Sequence, residues 1–431
     1  MVVFFVFLIS VGPVFSGFKI HVNLWCFAMR ILLAHKYHYL KGGAEVFYFE
    51  VANVLKKHGH CVAFFSTMNS ENVDTGDPLF EVEGPSYAEG NIFSRVIGSR
   101  DIFHSKKNKQ AMLDAIDDFK PDLIHAFAIH VHLTPSILEA AKERNIPVVM
   151  SCNDYKHICP NYKIYDGSAV CEACKGGKFY QAAVKKCCKG SLIYSTASAI
   201  EAYVHERHKV YDRLVDKYLF ASDFMLRKTQ DFWRDKKINY GVLKNPFDAS
   251  EYEVHLRGDY ALYFGRVIEE KGVDRIIAAA ELIPIPLKIV GDGPDLEKLK
   301  RVVTDKNLVN VEFLGAVWGA ELKEVLYGAR FVIVPSLWHE NFPYVVFQSF
   351  AAGKPVVGSR RGGIPELVSG DRGILFDPDN IAELASCMEA LWRSPEKSAE
   401  MGRLARDYVE SEFSSDVFYS SLMSSYLSVM R

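Results

Sequence analysis

The stretch Phe331-Val332-Ile333-Val334-Pro335-Ser336-Leu337-Trp338-His339-Glu340-Asn341-Phe342-Pro343-Tyr344-Val345-Val346-Phe347-Gln348-Ser349-Phe350-Ala351-Ala352-Gly353-Lys354-Pro355-Val356-Val357 reads as strand, loop, helix and strand. The run Phe331 to Pro335 is apolar without alternation, as in a strand buried on both faces. The helix opens with Pro343 and closes at Gly353. Glu340 then stands at the mouth of the strand, facing the same space as the helix's first amide hydrogens and positive dipole end. That corner suits a ligand carrying both hydroxyls and negative charge. The competing reading is an ordinary buried helix with Glu340 in a solvated loop.

Working outward, apolar runs of the same kind alternate with helical patterns through the whole chain, the mark of parallel sheets covered by helices. In the first half they are Ile31–Ala34, Cys61–Phe65, Leu123–Phe127, Val148–Cys152 and Tyr218–Ala221. In the second they are Ala261–Phe264, Leu287–Val290, Val311–Leu314, Phe331–Pro335, Val356–Gly358 and a short Gly373–Phe376. With 431 residues the chain is too long for one core, so two α/β, doubly wound domains are expected. The turn chemistry of Lys244-Asn245-Pro246-Phe247-Asp248 puts the junction near residue 240. The expected division is a first domain over 29–240, a second over 241–405, and a C-terminal helix within 406–431 able to brace the first domain. Residues 1–28 are an apolar extension interrupted by Gly12, Pro13 and Gly17, and Met29 is a plausible alternative start. A formal charge of -2 argues against nucleic acid as a partner.

In open parallel sheets, ligands collect at the carboxyl ends of the strands. Gly265-Arg266 and Lys271-Gly272 follow the first strand of the second domain, and two cations beside a helix start suit a diphosphate. Their bland alternative is an Arg266 ion pair with Glu269 or Glu270. Gly291-Asp292-Gly293 resembles part of a dinucleotide fingerprint, but Leu296 replaces its third glycine. Small residues in a turn near a phosphate or a partner loop explain it as well. Gly42 and Gly43 precede the first helix, where they either let backbone approach a ligand or serve a turn of positive φ. For acid–base work the candidates are His125, His130, His132, Asp154 and His157, with a structural role the usual one for a lone His.

Six of the nine cysteines fall between Cys152 and Cys188, in an insertion over 152–190. The odd total suits a reducing compartment. Cys159, Cys171, Cys174 and Cys187 supply four thiolates, enough for a closed structural zinc site, with unpaired thiols as the alternative.

Together "KGGAE", "NPFD", "GRVIEEKGVDRII", "IVGDGP", "FLGAV" and "PSLWHENFPYVVFQSFAAGKPVVGSRRGGIPEL" resemble glycosyltransferase family 4, from about Met29 to the C-terminus. The insertion resembles that of a cysteine-rich subgroup. The resemblance implies a GT-B fold, two Rossmann-like domains facing across a cleft. It also implies transfer of a sugar, with retention, from a nucleotide-diphosphate donor to a glycan or lipid-linked acceptor. By position, Arg266 and Lys271 would neutralise the diphosphate, Glu340 would hold sugar hydroxyls, and the backbone of Asn341, Phe342 and Pro343 would lie at the phosphates. Gly42, Gly43, Gly265, Gly291 and Gly293 would line the donor site. Two positions depart from the family. Gln348 stands where the family has a second glutamate, which bonds the nucleotide ribose. Asn153 replaces the histidine before Asp154, near the sugar. The expectation is a cytoplasmic glycosyltransferase without catalytic metal, with room for peripheral contact at the membrane inner face. The rival is a nucleotide-sugar-binding protein without catalysis.

Overall fold

The computed structural model describes residues 28–84, 104–234 and 236–430. The apolar extension up to residue 27, with Cys26, lies outside them. Two parallel sheets form the frame. The first holds β1 (Arg30–Ala34), β2 (Cys61–Thr67), β3 (Leu79–Val82), β4 (Leu123–Ala126), β5 (Val148–Cys152), β6 (Lys217–Phe220) and β7 (Tyr240–Val242), in spatial order β3-β2-β1-β4-β5-β6-β7. The second holds β8 (Tyr260–Phe264), β9 (Leu287–Val290), β10 (Val311–Gly315), β11 (Ala329–Val334), β12 (Val356–Ser359) and β13 (Gly373–Phe376), in order β10-β9-β8-β11-β12-β13. The edge strands β3 and β7 were not legible as apolar runs.

Each sheet is buried on both faces, which is why its central strands read as continuous apolar runs. In the first domain Leu32, Ala63 and Ile124 point to one core, while Ile31, Leu33, Phe64 and Leu123 point to the other. The second sheet divides likewise, with Ile289, Phe331 and Ile333 on one side and Leu262, Val332 and Val356 on the other.

Strand order reverses between β1 and β4 in the first sheet and between β8 and β11 in the second. Loops leaving such neighbours diverge to opposite faces of the sheet, and a crevice opens between them. Arg266 and Lys271 follow β8, and Glu340 follows β11, so they share one crevice. The two chain crossings between domains run through residues 243–259 and, after the long helix Pro395–Glu412 that packs on the second domain, through residues 413–414. After the second crossing the helix Ser415–Leu427 packs on the first domain, where Phe418, Leu422, Met423 and Tyr426 are buried with Ile31, Phe47 and Val51. Among the described residues no helix is long and apolar enough to cross a membrane.

Candidate active site

At the carboxyl edge of the second sheet, Glu340 is buried. Its Oε1 accepts from Lys271 Nζ at 2.5 Å, Ser336 Oγ at 2.7 Å and Trp338 Nε1 at 2.8 Å. Burial alone would raise its pKa, but the Lys271 charge and these hydrogen bonds outweigh it and hold the carboxyl below its ordinary value. All three bonds end on one oxygen. Oε2 carries none of them and remains an acceptor for a ligand's hydroxyls.

Arg266 is exposed, and its guanidinium makes no hydrogen bond or ion pair with the described residues. The anticipated partner Glu270 is engaged elsewhere, with Lys163 of the first domain at 2.6 Å. The buried Tyr263 hydroxyl donates to the Arg266 carbonyl at 2.7 Å, and Arg266 and Glu340 follow the neighbouring strands β8 and β11. A fixed carboxylate, a shared ammonium and a free guanidinium can hold a polyol and a diphosphate side by side.

The glycines of this edge serve loop packing. Gly291 has φ 138°, and a Cβ there would lie 1.8 Å from the Gly265 carbonyl oxygen. The fingerprint-like turn is thus explained by a partner loop. Gly293 likewise sits against the Val267 carbonyl. Gly42 and Gly43 are not in the left-handed region, so the positive-φ reading of that turn does not hold. Gly43 instead faces the Tyr344 ring across the cleft.

The helix that follows Glu340 spans Tyr344–Ala351, with Pro343 as its cap residue. As first residues of a helix, Tyr344 and Val345 have no intrahelical acceptor for their amides. Phe342 contributes backbone alone here, because its ring is buried against Phe347 and Phe413. Asn341 crosses the cleft, its Nδ2 donating to the Asn153 carbonyl. Asp154 Oδ1 accepts from the Lys156 amide at 2.9 Å, and burial raises its pKa. Gln348 Nε2 donates to the Tyr252 hydroxyl at 3.2 Å.

Of the candidate histidines, His125, His130 and His157 are buried and hydrogen-bonded within the first domain. His125 is fully buried, bonded to Tyr426 and Ser151, and burial lowers its pKa to about 3. His130 bonds Tyr211, and His157 bonds Thr229. His132 is lowered to about 4, chiefly by burial. None is poised to exchange a proton near neutrality. In the insertion, Cys159, Cys171, Cys174, Cys187 and Cys188 are free thiols. Among the described residues no group of three or more His, Cys, Asp or Glu side chains is placed to hold a metal ion.

Sequence reasoning passed over several contributors. Ser336 and Trp338 lie four and two residues before Glu340 and were visible as donors within reach. Glu366 was not: its carboxylate crosses the cleft to accept from the amides of Asp223 and Phe224, capping the first-domain helix Asp223–Phe232. Its signal was the Ser222-Asp223 helix start, whose partner no spacing rule could reveal. Gly362 and Gly363 matter in the same way, since a Cβ at Gly363 would lie 1.9 Å from the Asn341 carbonyl oxygen.

Residues 41–250 match the family model described as Glycosyltransferase Family 4, and residues 248–408 match that described as Glycosyl transferases group 1. A glycosyltransferase of Methanocaldococcus jannaschii is 31% identical over 196 residues, 45% of this chain and 54% of that protein. The sulfoquinovosyl transferase of Arabidopsis thaliana is 24% identical over 339 residues, 74% of this chain and 60% of that protein. The chain thus spans little more than half the length of these relatives. Among solved structures, sucrose-phosphate synthase of Thermosynechococcus elongatus superposes with a TM-score of 0.68 at 16% identity, covering 93% of this chain and 98% of that one. The Anabaena HepE protein in complex with UDP gives 0.64 at 18% identity, covering 93% and 100%. At these identities the likeness establishes the two-domain fold.

Proposed function

Since the chain belongs to the glycosyltransferases whose two domains these family models describe, with the GT-B fold, we propose that it moves a sugar from a nucleoside-diphosphate donor to a hydroxyl of a glycan or lipid-linked acceptor, with retention. The observation that carries this reading is the convergence of Lys271, Glu340 and the unpaired Arg266 at the β8/β11 crevice. The second domain binds the donor. Glu340, through its open Oε2, takes the sugar hydroxyls. As the bond from anomeric carbon to phosphate oxygen breaks, its electron pair passes to the phosphate, where Arg266, Lys271 and the amides of the Tyr344–Ala351 helix offset the new charge. The acceptor oxygen, presented by the first domain, bonds to the anomeric carbon from the same face. Its proton leaves to the departing phosphate oxygen.

Calorimetry separates these roles. Arg266→Ala and Lys271→Ala should each weaken nucleoside-diphosphate binding roughly ten- to a hundredfold, in line with losing a charge-assisted hydrogen bond. Glu340→Ala should spare the diphosphate and impair use of intact donor. Unchanged affinities in all three variants would remove the site assignment.

The second reading, a binder without catalysis, is favoured by Asn153 and Gln348. It predicts donor binding without hydrolysis or transfer across a broad acceptor panel, and a gain of donor hydrolysis in the Asn153→His, Gln348→Glu double variant. Structural zinc in the insertion is a separate proposal, supported by the cysteine spacing. Burial pushes the Cys174 thiol up to about 12, so an ion would have to displace thiol protons and draw the sulfurs together. Protein made with zinc present should carry about one zinc per chain. Metal analysis that finds none sinks it.

A further inference from the structure

The helical hairpin formed by the end of the cysteine-rich insertion and the helix after it carries an apolar face that nothing in the described chain covers. Its inner side is small. Cys174, Ala182 and Ala199 are buried where the helices Tyr180–Lys185 and Leu192–Arg207 meet. On the outer side Ile193, Ile200 and Tyr203 are exposed at helical spacing, Ile193 by 80%. On the shorter helix Val184 is 69% exposed. The Tyr180 amide donates to the Tyr203 hydroxyl at 3.2 Å, which joins the two rows into one patch. A surface helix ordinarily turns charged residues to solvent; this one turns aliphatic and tyrosine side chains.

Within the hairpin's own sequence the charge has one sign. Between Glu172 and Glu201 the sequence holds five lysines and no acidic residue. Lys175 and Lys185 are paired with Asp231 and Asp166, which leaves Lys178, Lys186 and Lys189 without an ion-pair partner among the described residues. Lys189 Nζ lies 5.0 Å from the Tyr194 ring centroid, and that ring is exposed. Protein–protein interfaces deplete lysine, whereas anionic headgroups attract it, and tyrosine sits well at the boundary between headgroups and acyl chains.

We propose that this face docks the protein on an anionic lipid bilayer, with Ile193 and Ile200 entering the acyl boundary and Lys186 and Lys189 against the lipid phosphates. The docking does not depend on glycosyl transfer.

Flotation of the full chain with vesicles of phosphatidylcholine, alone or mixed with phosphatidylglycerol, tests it. Binding to the mixed vesicles alone is expected, and Lys186→Glu with Lys189→Glu, which removes two positive charges and adds two negative ones, should lower the partition by at least about thirtyfold. Ile193→Trp should add emission quenched by brominated acyl chains beyond that of the parent, whose own five tryptophans, the exposed Trp318 among them, set the baseline. Absence of binding to mixed vesicles, parental binding by the charge-reversed variant, or no quenching at position 193 would each overturn the proposal. So would sedimentation showing a dimer that Ile193→Ser dissolves, which would make the face a contact between two copies. Parental nucleoside-diphosphate affinity in these variants is expected, and separates failure here from failure of the donor-site reading.

Discussion

Glu340 and Lys271 hold each other in a place neither would occupy alone. Because the folded carboxyl lies below its ordinary value of 4.5, the folded state binds its proton more weakly than the unfolded chain. Its contribution to stability is therefore full above pH 4.5 and is lost as pH falls from there through the lower folded value. Lys271→Met should cost about 3 kcal/mol near pH 7, since it leaves a buried carboxylate held by Ser336 and Trp338 alone. The deficit should shrink as pH falls and the variant's buried carboxyl, without the Lys271 charge that holds it down, takes up its proton. Urea midpoints of parent and variant across this range check it, and a deficit constant with pH would show that Glu340 is not the titrating partner. At this scale the sequence was informative, because Arg266, Lys271 and Glu340 are ionisable residues at strand ends, where an α/β chain gathers its chemistry. Phe342 was less so. Whether an aromatic residue beside a site lines the pocket or fills the core depends on neighbours such as Phe413, seventy-one residues away in the chain.

Among the elements, the central strands were legible because burial on both faces leaves a continuous apolar run. The edges were not. Tyr240-Gly241-Val242 pairs on one side only, through Tyr218↔Tyr240 to Phe220↔Val242, and three residues give no periodicity to read. The helix Ser415–Leu427 has an apolar side in its sequence, but its partner is set by tertiary structure. Tyr426 is completely buried, and its hydroxyl bonds His125 Nδ1 at 2.7 Å, 301 residues away in sequence. Tyr426→Ala should therefore cost about 3–4 kcal/mol, and Tyr426→Phe about 1 kcal/mol. Both losses should appear in the unfolding of the first domain. Hydrogen exchange resolved by segment would check this, and equal effects on both domains would mean that the helix serves the second as much as the first.

At the scale of the whole molecule, polar links among the described residues close the cleft: Lys163 with Glu270, Asn341 with Asn153, and Glu366 with the Asp223 and Phe224 amides and with Arg227. The first is partly exposed, so a double-mutant cycle of Lys163→Ala and Glu270→Ala should return a coupling of at most about 1 kcal/mol. Scattering should show a more open average shape in either variant if these links set the closure, and an unchanged radius of gyration would assign closure to other contacts. No pattern in the sequence announces such links, because each joins loops from different domains. The return of the chain to the first domain has a further consequence during synthesis. A ribosome delivers the first sheet early and must then make the entire second domain before residues 415–427 emerge. Through that interval the apolar positions that Phe418, Leu422 and Tyr426 will cover stand open to solvent, so the nascent first domain exposes apolar surface until residues 415–427 arrive.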